Sequence, residues 1–277
     1  MTRAAAGSPV PSRTVVYTCT FPSYDIVMPA QELLGVDKFV IFSDRRPRFL
    51  YGWEWRQIPD TIRGLDQTRI NRFCKFFPHK LFDNFDVSVY IDGNILLKSD
   101  ISKLVQEFIE SDADIGLFKH SCRNNIEEEY KFSFDNGKIK ENEKTLAAEQ
   151  MSKYRAYKSA YDAELTENAI IFRRHDRVRI QTAMALWWEE IERYCKRDQL
   201  SLPYALAESG AKKFVWPRNF RNDNPFFYRY PHRVGDLRDV YTFIGNVAQG
   251  PSWISGVARL MVRGVRWSRR GLGKAAR

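Results

Sequence analysis

The stretch that most constrains this chain is a run of β-branched and aromatic residues that ends abruptly in polar ones. Residues 87–91 (Val-Ser-Val-Tyr-Ile) predict a buried strand. Asp92, Gly93 and Asn94 follow directly, and in open α/β sheets ligands bind beyond the carboxyl ends of strands. A carboxylate and an amide oxygen two residues apart can hold a divalent cation that also contacts a diphosphate. The alternative interpretation is a simple turn after the strand.

Strand and helix patterns alternate along the chain. The predicted strands cover about residues 14–20, 37–43, 53–58, 86–91, 115–118, 168–172 and 213–215. The predicted helices cover about residues 66–77, 100–110, 176–196 and 198–209, with a charged, irregular or helical insertion at 120–162 and a long loop at 219–233. This alternation predicts one α/β domain over residues 14–245, with a mixed, mostly parallel central sheet flanked by helices.

The positive charge of the chain is concentrated at its end. The formal charge is +10, of which +7 lies in residues 251–277, where there is no acidic residue, so the rest carries only +3. A nearly balanced body argues against nucleic-acid binding, because such modules spread basic and stacking residues over their surface. No apolar stretch approaches the ~20 residues of a membrane-spanning helix.

The cysteines and the first residues indicate a cellular compartment. Cys19, Cys74, Cys122 and Cys195 lie far apart without a Cys-x-x-Cys pair, which argues against a zinc site or a disulfide framework and predicts a reducing cytoplasm. Residues 1–13 contain no continuous apolar segment. They are therefore predicted to be a disordered leader rather than a secretory signal.

Basic side chains accompany the predicted strand ends. Arg69, Arg72 and Lys75 lie on the helix before the central strand, and Arg and Lys are the residue types that hold a diphosphate. Lys119 and His120 follow the next strand, at a second candidate carboxyl edge. A solvated helix face or charge run is the alternative for each of them.

Two later positions complete the set of candidates. Asp198 and Gln199 open a helix, where a carboxylate and an amide suit the binding of sugar hydroxyls. An aspartate there can equally be a helix cap, a role worth ~1 kcal/mol by itself. His232 lies in the late loop, where a neutral imidazole could complete the coordination of a metal held by Asp92, although a lone histidine is more often structural.

Residues 246–277 predict a basic amphipathic helix. One arc of the helical wheel carries Trp253, Val257, Leu260, Met261 and Val265, and the opposite side carries Arg259, Arg263, Arg266 and Arg270. These two faces suit a helix that lies in an anionic membrane surface. The alternatives are docking on the body of the protein or on a second subunit, and contact with nucleic acid.

The order and content of these stretches resemble nucleotide-sugar glycosyltransferases of the GT-A fold. More narrowly, the chain is similar to the glycosyltransferase-like domain shared by plant mucilage- and pectin-related proteins and bacterial polysaccharide-locus proteins. The matching stretches are residues 15–18, 69–79, 90–95, 119–120 with 123 and 127–129, 167–173 and 197–201, within about 14–235. Many GT-A enzymes have Asp-x-Asp where this chain has Asp92-Gly93-Asn94, so the second predicted metal ligand is uncharged.

The resemblance implies a metal-dependent glycosyltransferase (hexosyltransferase class). It would move a sugar from a nucleotide-diphosphate donor to a glycan or a lipid-linked polysaccharide acceptor. Mn²⁺ or Mg²⁺ is predicted as cofactor, with Asp92, Asn94 and His232 as its ligands. The predicted catalytic residues are Asp92 and Asp198, the latter by contacting the sugar. The predicted donor-binding residues are Arg69, Arg72, Lys75, Asp92, Gly93, Asn94, Lys119, His120 and Gln199.

The tail adds a location to this hypothesis. A basic amphipathic helix would hold the protein at the inner face of the membrane, near a lipid-linked acceptor, with no nucleic-acid partner.

Two other functions stay open from the sequence. A sugar nucleotidyltransferase usually has a Gly-rich segment after the first strand, and residues 19–24 contain no glycine. The other is a non-catalytic protein that binds a sugar nucleotide or nucleic acid.

Overall fold

The computed structural model describes residues 12–21, 28–30, 36–47, 50–218 and 224–230, together with residues 244, 256, 257 and 260. The strands within these ranges are β1 (Thr14–Cys19), β2 (Lys38–Ser43), β3 (Glu54–Gln57), β4 (Val87–Ile91), β5 (Ile95–Leu97), β6 (Ile115–Lys119), β7 (Thr166–Arg173), β8 (Lys213–Trp216) and β9 (Phe227–Arg229). The α-helices there are α1 (Gln67–Phe76), α2 (Ser102–Glu110), α3 (Ile126–Asp135), α4 (Lys144–Ala156), α5 (Lys158–Tyr161), α6 (Val178–Arg193) and α7 (Asp198–Ser209).

Seven of the described strands form one sheet, in the order β3-β2-β1-β4-β7-β6-β8. β7 runs antiparallel to its neighbours β4 and β6, and the other pairs are parallel, which confirms the predicted mixed, mostly parallel sheet. Because β7 is reversed, its first residues lie at the edge where β4 and β6 end. The N–H of Asp92 donates to the carbonyl of Ala169 at 2.8 Å, and that of His120 to the carbonyl of Leu165 at 3.0 Å.

Each face of the sheet buries an apolar layer. On one face α1, α6 and α7 pack against β1 and β4, and the rings of Phe76 and Trp187 stack with centroids 3.8 Å apart. On the other face α2 packs against the sheet around Phe108 and Trp216. The sheet therefore places its polar strand ends at an edge between two well-packed layers.

The insertion after β6 is helical. Helices α3, α4 and α5 enclose a separate small core that includes Ile126, Met151 and Leu200, the last of them from α7. Of the two structures predicted for residues 120–162, the helical one is correct. The insertion thus continues the helical layer beside the carboxyl edge of β6.

Two sequence predictions need correction. Residues 219–233 were predicted to be one long loop, but β9 pairs antiparallel with β5 through Leu96 and Tyr228. A three-residue strand whose partner lies far away in the chain leaves no local signal. Asp198 does not cap α7 but is its first residue, with no side-chain cap hydrogen bond, because its carboxylate is bound by Lys75 instead.

Several predicted features fall outside the described residues. His232, residues 1–11 and most of the tail lie there. Residues 256, 257 and 260 are helical, and the side chains of Val257 and Leu260 are exposed. None of the helices within the described ranges has the length and apolar character needed to cross a membrane.

Candidate functional site

The centre of the candidate site is a buried lysine shared by two carboxylates. Lys75 lies in the last turn of α1 with 2% of its side chain exposed. Its Nζ is 2.9 Å from Oδ2 of Asp198 and 3.6 Å from Oδ1 of Asp92. The ammonium group therefore joins the end of β4 to the start of α7. We call Lys75, Asp92, Asp198 and Arg72 the edge cluster.

Arg72 adds a second positive charge to the edge cluster. It lies one turn before Lys75, and its Nη2 is 3.5 Å from Oδ1 of Asp198. Burial favours the neutral form of Asp198, but the charges of Arg72, Lys75 and Arg197 outweigh it and hold the pKa of this carboxyl well below its usual range. Asp198 is consequently ionised at neutral pH and acts as a fixed counter-charge.

Helix α1 is anchored at both ends, which fixes the position of Lys75. At its start the Asp66 side chain accepts the backbone N–H groups of Thr68 and Arg69, both at 3.1 Å. At its end the buried guanidinium of Arg173 donates to the carbonyl of Lys75 and to the hydroxyl of Tyr17, both at 2.5 Å. A cation at the carboxyl end of a helix also interacts favourably with the helix dipole.

Asp92 has the most solvent-exposed carboxylate of the edge cluster. A quarter of its side chain is exposed, compared with 5% for Asp198. Asn94, two residues further on, is buried, and its Nδ2 donates to the carbonyl of Tyr230 at 2.5 Å. This bond, together with that from the N–H of Tyr230 to the carbonyl of Asn94 at 2.8 Å, fastens the segment after β9 to the turn.

The oxygen donors at this turn fit a hard divalent cation. The Asp92 carboxylate is partly open, and Oδ1 of Asn94 is buried without a hydrogen-bond partner within the described ranges. Mg²⁺ is usually held by one or two carboxylates together with substrate phosphates and water. No cluster of three or more His, Cys, Asp or Glu suited to a metal occurs among the described residues, so the rest of the shell would come from phosphate oxygens, water or residues outside the described ranges.

A narrow recess lies beside Asp92, between the ends of β1, β2 and β4. It is lined by Thr18, Thr20, Met28, Ile41, Trp53, Ile91, Asp92, Gly93 and Ile95. The hydroxyls of Thr18 and Thr20 are buried, and neither has a hydrogen-bond partner in the part of the chain that the structure describes. Such groups are costly to leave unpaired, but the recess has almost no free volume and holds no ligand-sized space.

The remaining predicted residues have other contacts. Arg69 pairs with Asp66 at 2.7 Å, and Lys119 pairs with Glu164 at 2.8 Å.

The last two of the predicted residues are buried. His120 is enclosed, and its Nδ1 accepts the backbone N–H of Arg123 at 2.9 Å. Gln199 is also buried, and its Nε2 donates to the carbonyl of Thr166 at 3.4 Å. The structure thus brings Lys75, Arg72, Asp92 and Asp198 together, and it places Lys119 further along the edge.

Some residues at the site were missed by sequence reasoning. Asn71 donates to the carbonyl of Cys19 at 2.7 Å and so ties α1 to the end of β1. Asn168 of β7 donates to the carbonyl of Asp198 at 3.4 Å. Arg173 donates a hydrogen bond to the backbone carbonyl of Lys75 and so holds the end of α1. Asn168 and Arg173 lie within a matching stretch, but nothing in its pattern shows which side chains turn towards α1 and α7.

Comparison with known proteins identifies the family. The family model described as TOD1/MUCI70, glycosyltransferase-like domain, matches residues 55–224, which include every member of the edge cluster. The chain belongs to the TOD1/MUCI70 family. Over 223 residues it is 25% identical to a protein of Arabidopsis thaliana named probable hexosyltransferase MUCI70, an alignment that covers 72% of this chain and 38% of that protein. The chain therefore spans well under half the length of this relative.

A solved structure supports the fold of this TOD1/MUCI70 family member. The apo structure of the bifunctional glycosyltransferase WbbM superposes with a TM-score of 0.53 and 14% sequence identity, over 92% of this chain and 53% of that one. This likeness confirms the predicted GT-A-like fold.

The first prediction concerns the buried charges of the edge cluster. Asp198→Asn keeps the shape of the side chain but removes the nearest counter-charge of Lys75. We expect the free energy of unfolding at pH 7, measured by urea titration, to fall by about 3 kcal/mol, because an uncompensated buried charge is strongly destabilising. Asp60→Asn is the control: it removes an exposed pair with Arg63 and should cost less than about 1 kcal/mol.

The same variant tests the pKa of Asp198. Because its pKa is lower in the folded than in the unfolded chain, its stabilising contribution is present above about pH 4 and is lost as the pH falls below that value. The natural chain should therefore lose stability more steeply than Asp198→Asn below about pH 4. Parallel acid profiles for the two proteins would contradict a lowered pKa.

Proposed function

We propose that this chain is a glycosyltransferase that moves a sugar from a nucleotide-diphosphate donor to a glycan or lipid-linked acceptor. The observation that carries the proposal is the partly open Asp92 beside the buried ammonium of Lys75 at the carboxyl edge of the sheet. Membership of the TOD1/MUCI70 family and the relative named probable hexosyltransferase support the same reaction class.

The donor would bind at this edge through its diphosphate. The recess beside Asp92 has almost no free volume and cannot hold a base and a ribose. The diphosphate would lie over the end of β4, near the positive charges of Arg72 and Lys75. Asp92 and Asp198 balance the charges of Lys75 and Arg72, so a bound divalent cation would supply the net positive charge that a donor diphosphate needs.

Mn²⁺ or Mg²⁺ would be held by Asp92, with Oδ1 of Asn94 as a second protein ligand and phosphate oxygens completing the shell. When bound, such a cation neutralises negative charge on the departing diphosphate. His232 as a further ligand stays a prediction.

The cationic side chains of the edge cluster are held in place before the reaction begins. Breaking the bond between the anomeric carbon and the diphosphate builds negative charge on the leaving group, and preorganised cations stabilise it without reorganisation. Asp198 supplies this preorganisation by binding Lys75 at 2.9 Å. With its low pKa Asp198 is a weak base, so we assign it to orienting the two cations rather than to removing the acceptor proton. Contact of Asp198 and Gln199 with the sugar stays a prediction.

The second prediction tests this function through Asp92. The purified chain is mixed with a panel of nucleotide-diphosphate sugars and Mn²⁺, and the release of nucleoside diphosphate is measured. Asp92→Asn should reduce turnover by on the order of 100-fold, because it removes the carboxylate that would hold the divalent cation at the leaving group. The exposed Asp83→Asn is the control and should be as active as the natural chain. Unreduced turnover by Asp92→Asn would contradict the proposal.

We further propose that residues 246–277 bind an anionic membrane surface and hold the protein at the inner face of the membrane in the cytoplasm. The support is the +7 charge of residues 251–277 and the opposed apolar arc in the sequence. The exposed side chains of the helical residues Val257 and Leu260 agree with such a face. This location would bring the enzyme to lipid-linked acceptors.

The third prediction addresses the tail. Removing residues 251–277 should abolish co-sedimentation with vesicles that contain phosphatidylserine, and it should leave nucleotide-sugar turnover intact. Added salt should weaken vesicle binding by the full chain, because exposed charges are screened. Equal binding of the full chain to uncharged vesicles, or stronger binding to RNA than to anionic vesicles, would contradict the proposed partner.

A further inference from the structure

A second polar site lies further along the carboxyl edge of the sheet. It is a groove of about 430 Å³ between the segment after β6 and the turn before β7, lined by Lys119, Asn124, Asn125, Tyr161, Asp162 and Glu164. We call it the β6 groove. Its volume is within the range of small-ligand sites, roughly 300–1,000 Å³.

The walls of the β6 groove are fixed by hydrogen bonds. The N–H of Leu165 donates to the carbonyl of Asn124 at 2.8 Å, which joins the two segments that form it. Asn125 caps α3 by accepting the N–H of Glu128 at 2.9 Å, and the hydroxyl of Tyr161 donates to Glu127 at 3.3 Å. The groove is therefore preorganised, which lowers the entropic cost of binding a ligand.

Polar groups without internal partners face this groove. In the part of the chain that the structure describes, the side chains of Asn124 and Asp162 make no hydrogen bond or ion pair. Tyr161 is the aromatic residue among those that line the groove. Amide and carboxylate groups that bind hydroxyls, next to an aromatic ring that packs against C–H groups, form a surface suited to a sugar.

The charges of the β6 groove favour a neutral sugar. Lys119 pairs with Glu164 at 2.8 Å, and among the described residues that line the groove Asp162 carries the one charge without an ion-pair partner. A sugar that carries a carboxylate would meet a like charge there, and like charges placed together are unfavourable.

The position of the groove indicates which part of a ligand it would hold. In the sheet, the backbone N–H of Asp92 bonds to Ala169 on one side of β7, and Lys119 lies opposite Thr166 on the other side. Two strand spacings across the sheet and three residues along β7 place the groove roughly 14 Å from Asp92. This separation is too long for the sugar that reacts, but a short oligosaccharide can span it.

We infer that the β6 groove binds a neutral sugar unit of an oligosaccharide acceptor, some units away from the hydroxyl that is glycosylated. This inference rests on the proposed glycosyl transfer, which makes a sugar chain the ligand expected at this edge. The enzyme would accordingly prefer an extended acceptor to a monosaccharide.

The fourth prediction tests the groove by binding, independently of turnover. The full chain is titrated with neutral tetrasaccharides of glucose, galactose, mannose and xylose, with tetragalacturonate as the acidic probe, and binding is followed by saturation-transfer NMR. At least one neutral tetrasaccharide should bind, and the double variant Asn124→Ala/Asp162→Ala should weaken its binding at least tenfold. Tetragalacturonate should bind more weakly than the neutral ligands.

The matched control is Asp135→Ala/Asn142→Ala. It removes one aspartate and one asparagine that are exposed on the same helical insertion, outside the groove. This variant should bind the tetrasaccharide as the natural chain does. The inference is overturned if no neutral tetrasaccharide binds, if both double variants bind equally, or if tetragalacturonate binds most tightly. The Asp92→Asn assay stands apart, because nucleotide-sugar turnover can succeed or fail whatever the groove binds.

Discussion

The site depends on one buried ammonium group that two carboxylates share. Lys75 joins α1, β4 and α7 through Asp198 at 2.9 Å and Asp92 at 3.6 Å. Burying a lysine is costly unless its charge is compensated, so the three elements are held together by electrostatics as well as by apolar packing. Arg173 below the helix end and Asp66 at its start keep α1 in place. The open carboxylate of Asp92 is thereby presented in a fixed position.

The reversed strand β7 brings two polar sites to the same edge of the sheet. Because it lies antiparallel between β4 and β6, the turn before it meets the ends of both neighbours. On the β4 side lie the edge cluster and the recess beside Asp92; on the β6 side lies the β6 groove. The proposed donor site and the inferred sugar groove would thus lie at one sheet edge, separated by a single strand.

Much of this architecture could be predicted from the sequence, because strands buried on both faces and amphipathic helices have strong periodic patterns. The run before Asp92, the helix that carries Arg72 and Lys75, and the helix that begins at Asp198 were all placed within a few residues. The pairing of β5 with β9 could not be predicted, since three residues carry too little pattern. The shared position of Lys75 also depends on packing between distant elements. A sequence shows that Asp198 begins a helix, but not that a lysine 123 residues earlier binds its carboxylate.

The most direct test of this account is a crystal structure of the full chain with a nucleoside diphosphate and Mn²⁺. The account predicts the diphosphate over the end of β4, the cation on Asp92, and Lys75 still bound to Asp198. A nucleotide bound elsewhere on the chain, with Asp92 contacting neither cation nor phosphate, would contradict it.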